Sequence, residues 1–115
     1  MAGKPITADQ FKRAMRSLAG AVNLVTSAHA GRRHGMTATA VCSVSADPPT
    51  VLVCVNQLAA THGAIDGSGA YCVNVLRAED RELSAEFSSG QSGESRFASR
   101  DWTRLATGSP ALADA

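Results

Sequence analysis

His34-Gly35-Met36-Thr37-Ala38-Thr39-Ala40-Val41-Cys42-Ser43 is the stretch best suited to chemistry, because so many small side chains in succession let a flat ligand approach the backbone. Its main-chain amides then become available as donors. A flavin suits such a surface: its ring edge carries nitrogen and oxygen acceptors, and its reduced form gathers negative charge that fixed N–H groups stabilise. The same residues also fit a strand packed closely under a helix. A second candidate is Asn56-Gln57-Leu58-Ala59-Ala60-Thr61, between an apolar run and a short helical segment. A helix N-terminus offers unpaired amides and the positive end of a dipole, which favour phosphate. Thr61 adds a hydroxyl and Asn56 an amide, although both residue types also serve as turn and cap residues at such a junction.

Other chemistries find less support. His29, His34 and His62 form no helical pair at a spacing of four beside a carboxylate, so no metal site is expected. No nucleophile elbow surrounds any serine or cysteine, and no catalytic side chain is assigned. The three cysteines, Cys42, Cys54 and Cys72, sit far apart, each in an apolar run and without a C-x-x-C spacing. They read as small buried hydrophobes in a reducing compartment, and the expected location is the cytoplasm.

These residues must be held by a fold that 115 residues can build, which means one modest domain. A hydrophobic content of 44% is enough for a packed core. Eleven Lys and Arg against 10 Asp and Glu give a net charge of +1 with no basic stripe, so nucleic acid is not an expected partner. No secretory leader pattern and no apolar stretch approaching the roughly 20 residues of a membrane span is visible.

Thr7-Ala8-Asp9-Gln10 fits a capping box, followed by Phe11, Met15 and Leu18 as one apolar stripe expected to face a core, with Gly20 ending the helix. Ala21 to Ala28 reads as a strand, and the following HAGRRHG as its hairpin connection. A second strand is expected from Met36 to Ser45, with Ala38, Ala40, Cys42 and Val44 on one face. Asp47-Pro48-Pro49 breaks it, and Thr50 to Val55 reads as a central strand covered on both faces. Ala59 to Ile65 suggests a short helix ended by Gly67-Ser68-Gly69, Tyr71 to Leu76 a fourth strand, and Glu79 to Phe87 a helix burying Leu83 and Phe87. The Gly- and Ser-rich segment after it reads as a loop anchored by Phe97 and Trp102. Strands joined mostly by hairpins predict a mainly β, antiparallel barrel or sandwich, with further strands expected beyond residue 115 to cover its edges.

The chain resembles the flavin reductase-like family, the short-chain NAD(P)H:flavin oxidoreductases. The resemblance rests on Phe11-Lys12-Arg13-Ala14-Met15 with Gly20-Ala21-Val22, His34-Gly35-Met36-Thr37-Ala38, Ser43-Val44-Ser45 before Pro48-Pro49, and Val53-Cys54-Val55-Asn56. It continues through Gly69 with Cys72-Val73-Asn74-Val75-Leu76 and Arg96-Phe97 before Asp101-Trp102. It implies a single domain over 1–115 with an FMN-binding split β-barrel, antiparallel and Greek-key-like with a few short helices. By the same resemblance that barrel is incomplete at the C-terminus and lacks the Gly-Asp-His region on the nicotinamide side. The resemblance places Thr37, Ala38, Thr39, Ala40, Val41, Cys42 and Ser43 along the flavin, Asn56, Gln57 and Thr61 near its phosphate, and Phe97 beside it from the long loop. Where the family often has a serine-rich, basic stretch, this chain has Leu58-Ala59-Ala60, which leaves phosphate affinity weaker or supplied from elsewhere.

The implied function is NAD(P)H-dependent reduction of FMN or FAD by hydride transfer, in a homodimer that supplies reduced flavin to a monooxygenase. A flavin-binding module without reductase activity, or a non-functional fragment, would use the same small-residue strand. No partner in a membrane is expected.

Overall fold

The capping box forms: Gln10 N–H donates to Thr7 Oγ1 at 3.1 Å, and Thr7 N–H donates to Gln10 Oε1 at 2.9 Å. It opens α1 (Ala8–Leu18) in a computed structural model that describes residues 5, 7–18, 22–88 and 93–113. The stripe does not begin in a core, however, because Phe11 is half exposed and every side chain from Ala8 to Ala14 faces solvent. Periodicity marks which residues want cover without naming what supplies it. The side chains of Met15 and Leu18, and the stop expected at Gly20, lie outside the described residues.

β1 (Asn23–His29) is the central strand of an antiparallel sheet in the order β2-β1-β5, with β2 at Arg32–Ala38 and β5 at Cys72–Val75. The β1–β2 turn is shorter than HAGRRHG suggested. Ala30 and Gly31 alone make it, both at positive φ (53° and 76°), the twist that a two-residue hairpin needs. Arg32 to Gly35 therefore belong to β2.

The expected strand from Met36 to Ser45 is two strands. The ladder stops at Ala38, Val41 N–H turns back to the Thr39 carbonyl at 2.9 Å, and β3 (Val41–Ala46) enters a separate hairpin with β4 (Pro49–Val53). Nor is Thr50 to Val55 covered on both faces, since Val51 and Leu52 are exposed, as is Val44 at 58%. A continuous apolar run shows that both faces seek cover, and no described residue provides it here. This also corrects the reading of the cysteines, of which Cys42 and Cys54 are exposed and Cys72 is half-buried, all as free thiols. Burial pushes the Cys72 thiol above its ordinary range.

α2 (Ala60–Ser68) packs on β1 and ends where Gly69 takes φ 71° and donates to the Ile65 carbonyl at 2.7 Å. α3 (Arg81–Ser88) follows a 3-10 turn at Ala78–Asp80 and buries Leu83 and Phe87 as expected. The Asp80 carboxylate accepts from Arg77 N–H and from Arg100 Nη1, both at 2.9 Å, and these bonds hold its pKa below the usual carboxylate value. A second 3-10 turn, Gly93–Phe97, precedes two short strands absent from the sequence reading, β6 (Trp102–Arg104) and β7 (Pro110–Leu112).

Between them these elements bury Leu24, Leu83, Phe87, Phe97 and Leu112. Phe87 and Phe97 meet edge to face at 5.1 Å, and Trp102 lies 4.9 Å from Phe97, so the loop anchors form part of one aromatic cluster. Asn74 on β5 holds β7 in place: its Oδ1 accepts from Leu112 N–H at 2.8 Å, while its Nδ2 donates to the Leu24 carbonyl and to Thr26 Oγ1. The result is mainly β and antiparallel, with few short helices. Among the described residues no helix is long and apolar enough to cross a membrane.

Candidate functional site

Among the described residues β2 is the outermost strand of its sheet, and one side of its backbone has no partner strand there. In an antiparallel ladder, successive residues turn their main-chain groups alternately toward and away from the neighbour. Arg33 N–H donates to Glu94 Oε1 at 2.9 Å, and the Gly35 carbonyl accepts from Arg96 Nη1 at 2.7 Å, so the odd-numbered residues face outward. The amides of Gly35 and Thr37 thus point from the free edge.

That edge forms one wall of a cleft of about 340 Å³, whose other walls come from the start of α2 and the end of α3. The volume lies in the range of small-molecule sites. Gly35 is required there for packing: a Cβ would stand 2.5 Å from Phe87 Cε2. The small residue lets the strand close on α3 while its edge stays open.

At the α2 end, Ala59 occupies the N-cap with no side-chain hydrogen bond, so that His62 N–H donates to the Ala59 carbonyl at 3.0 Å while the Ala60 and Thr61 amides have no capping group. Thr61 lies in that first turn, lines the cleft and is only 3% exposed. Its hydroxyl, at the cleft wall, can donate to a ligand acceptor there. Arg96 lines the same cleft and brings positive charge.

The cleft gathers some of the expected residues and not others. Thr37 and Thr61 meet in it, but the Thr37 hydroxyl is already donated to the Ser84 carbonyl at 2.6 Å, so its contribution is main-chain. Ala38 is buried at the end of β2. Thr39 and Ala40 are exposed at the break, and Val41, Cys42 and Ser43 continue into β3 outside the cleft lining. Asn56 makes the turn before α2, where its Oδ1 accepts from Leu58 N–H at 2.8 Å, and Gln57 is exposed. Phe97, 2% exposed, does not line the cleft but anchors the aromatic cluster.

Arg96, next to Phe97 in the chain, is a lining residue that the sequence does not single out. The signal was present: a deeply buried aromatic turns its chain neighbour toward the surface. His34 and Met36 also line the cleft and were not singled out as contacts.

The donor set fits a flavin nucleotide. Edge amides match the acceptor side of a flat ring, and an uncapped helix start, a threonine hydroxyl and a guanidinium match a phosphate. Comparison with known proteins points the same way. Residues 15–115 match the flavin reductase like domain. The chain is 44% identical over 114 residues, 99% of its length, to FMN reductase (NADH) RutF 1 of Methylorubrum extorquens, and spans only 57% of that relative. Among solved structures, a putative flavin reductase from Haemophilus somnus superposes with a TM-score of 0.88 at 46% identity, over 95% of this chain and 70% of that one. Nitrilotriacetate monooxygenase component B from Mycobacterium thermoresistibile gives 0.83 at 31% identity, over 91% and 57%. The fold is thus the split barrel of these reductases, and the chain belongs to the flavin reductase like family.

Proposed function

We propose that this chain forms the flavin site of an NAD(P)H-dependent flavin reductase, which passes hydride from a reduced nicotinamide to FMN or FAD and supplies the reduced flavin to a monooxygenase. The relative's name, FMN reductase (NADH), supports the reaction, and the monooxygenase component among the similar structures supports the destination. Bound flavin supplies the hydride-accepting chemistry. The protein's part is binding and orientation, so no acid–base side chain is required.

In this reading the Gly35 and Thr37 amides donate to the acceptor edge of the ring, and Thr61, the first turn of α2 and Arg96 hold the phosphate. Ala38, at the end of β2, and Thr39, Ala40, Val41, Cys42 and Ser43 extend the small-residue surface beside the cleft. Asn56 and Gln57 act near the phosphate by shaping the turn into α2. Phe97 acts from behind, by holding the turn that carries Arg96. A homodimer is supported by the apolar β3–β4 hairpin, whose exposed Val44, Val51 and Leu52 seek a partner surface, and exposed free thiols suit the cytoplasm.

The observation that carries the reading is the uncapped start of α2, with Thr61 in its first turn, in the same cleft as the outward amides of β2. The test mixes purified protein with NADH and FMN or FAD, follows nicotinamide absorbance, and titrates FMN by fluorescence. Saturable FMN binding with flavin-dependent loss of NADH is expected, and neither binding nor turnover overturns the proposal.

A further inference from the structure

We propose that Glu94 is a positioning residue: its pairing with Arg33 fixes the Gly93–Phe97 turn on the outer edge of β2 and so holds the Arg96 guanidinium at the cleft, toward a flavin phosphate. The inference rests on the flavin reading above and adds to it a residue that does not line the cleft.

A five-residue 3-10 turn has poor hydrogen-bond geometry and little stability of its own, so its orientation must come from outside. One end is set by Phe97, buried in the aromatic cluster. The other is set by Glu94, whose carboxylate takes Arg33 Nε at 2.9 Å on Oε2 and Arg33 N–H at 2.9 Å on Oε1. Arg33 also lies over the Phe97 ring at 4.7 Å, so one side chain of β2 grips both ends of the turn. Arg96 stands between the two anchors and donates to the Gly35 carbonyl at 2.7 Å. The β2 edge strand therefore registers the turn at alternate residues, Arg33 and Gly35.

The pairing is poorly placed to serve stability. Glu94 is 53% exposed at its side chain and Arg33 34%, where ion pairs contribute little in water. What a bidentate carboxylate–guanidinium contact does supply is direction. A direction-setting role also reverses the expected electrostatic sign. Neutralising a carboxylate near an anion site should strengthen anion binding by simple Coulomb attraction, whereas loosening the turn weakens it.

The test titrates FMN and riboflavin, which lacks the phosphate, into wild type, Glu94→Gln, Arg96→Met and the double variant, reading flavin fluorescence and the melting temperature of the ligand-free proteins. Glu94→Gln is expected to weaken FMN about three- to tenfold, in the range of couplings between contacting residues. Riboflavin affinity and melting should be nearly unchanged, and Glu94→Gln should add no further loss on Arg96→Met. Unchanged or tighter FMN binding, an equal loss for riboflavin, or an undiminished loss on Arg96→Met overturns the inference. Wild-type protein that binds neither flavin overturns the functional reading first and the inference with it.

Discussion

Replacing Gly35 with alanine tests the packing on which the cleft is built. The added Cβ would lie 2.5 Å from Phe87 Cε2, 2.9 Å from Cδ2 and 3.3 Å from Thr26 Cγ2. Carbon atoms rest about 3.5–4.0 Å apart, so the overlap with the ring is roughly 1 Å or more. Phe87 has nowhere to go: it is 1% exposed and boxed in by Phe97 and Trp102. Overpacking of this kind costs about 1–3 kcal/mol, against which the lower chain entropy of alanine returns about 0.4–1 kcal/mol. We expect a net loss of about 1–2 kcal/mol, or a melting temperature lower by roughly 4–12 °C for a domain of this size. Denaturant melts of Gly35→Ala, Phe87→Leu and the double variant give the assay. Because leucine removes the ring edge that the new methyl strikes, the double variant should be more stable than the sum of the singles predicts, by about 1 kcal/mol. Wild-type stability for Gly35→Ala, or strict additivity in the cycle, would refute the contact as the reason for glycine.

Two further outcomes follow from buried polar groups. Thr61→Val keeps the shape and removes a hydroxyl at the cleft wall, so stability should hold while FMN affinity falls about tenfold, the worth of one hydrogen bond to a charged acceptor; isothermal titration checks it. Asp80→Asn should lower stability by about 2 kcal/mol near neutral pH, since Arg77 N–H and Arg100 lose a charged acceptor. The folded-state pKa of Asp80 is depressed, so its contribution is fully present above the unfolded value and is lost as pH falls through the lower folded one. Denaturant melts across that range should show the gap between variant and wild type closing toward acid.

Local signals in the sequence were read well where the physics is local. The Thr7–Gln10 capping box and the Leu83–Phe87 buried pair each depend on neighbours in the chain, and each is present; the helix expected over Ala59–Ile65 also forms, but it runs through Gly67 and Ser68 and stops only at Gly69. What failed depended on cover from elsewhere. Phe11, Val51, Leu52, Cys42 and Cys54 carry apolar patterns that ask for burial, yet no described element supplies it. The break at Thr39 and Ala40 was hidden because small residues alternate smoothly through it, and nothing in their types announces a change of sheet. In the site, the family resemblance places Phe97 beside the flavin, whereas the fold uses it as the loop anchor its residue type suggests and presents its neighbour Arg96 to the cleft. The outward amides of β2 were beyond reach, since which side of a strand stays open is set by strand order.

The carboxamide of Asn74 constrains which residues that position can accept. It donates on one side to the Leu24 carbonyl and Thr26 Oγ1, and accepts on the other from Leu112 N–H. Aspartate would offer acceptors where the Leu24 carbonyl and Thr26 Oγ1 meet a donor, leucine would strand the Leu112 N–H, and glutamine would overshoot by a methylene. One planar group of the right length thus acts as a spacer between β1 and β7, and the alignment of the last strand is written in a single side chain.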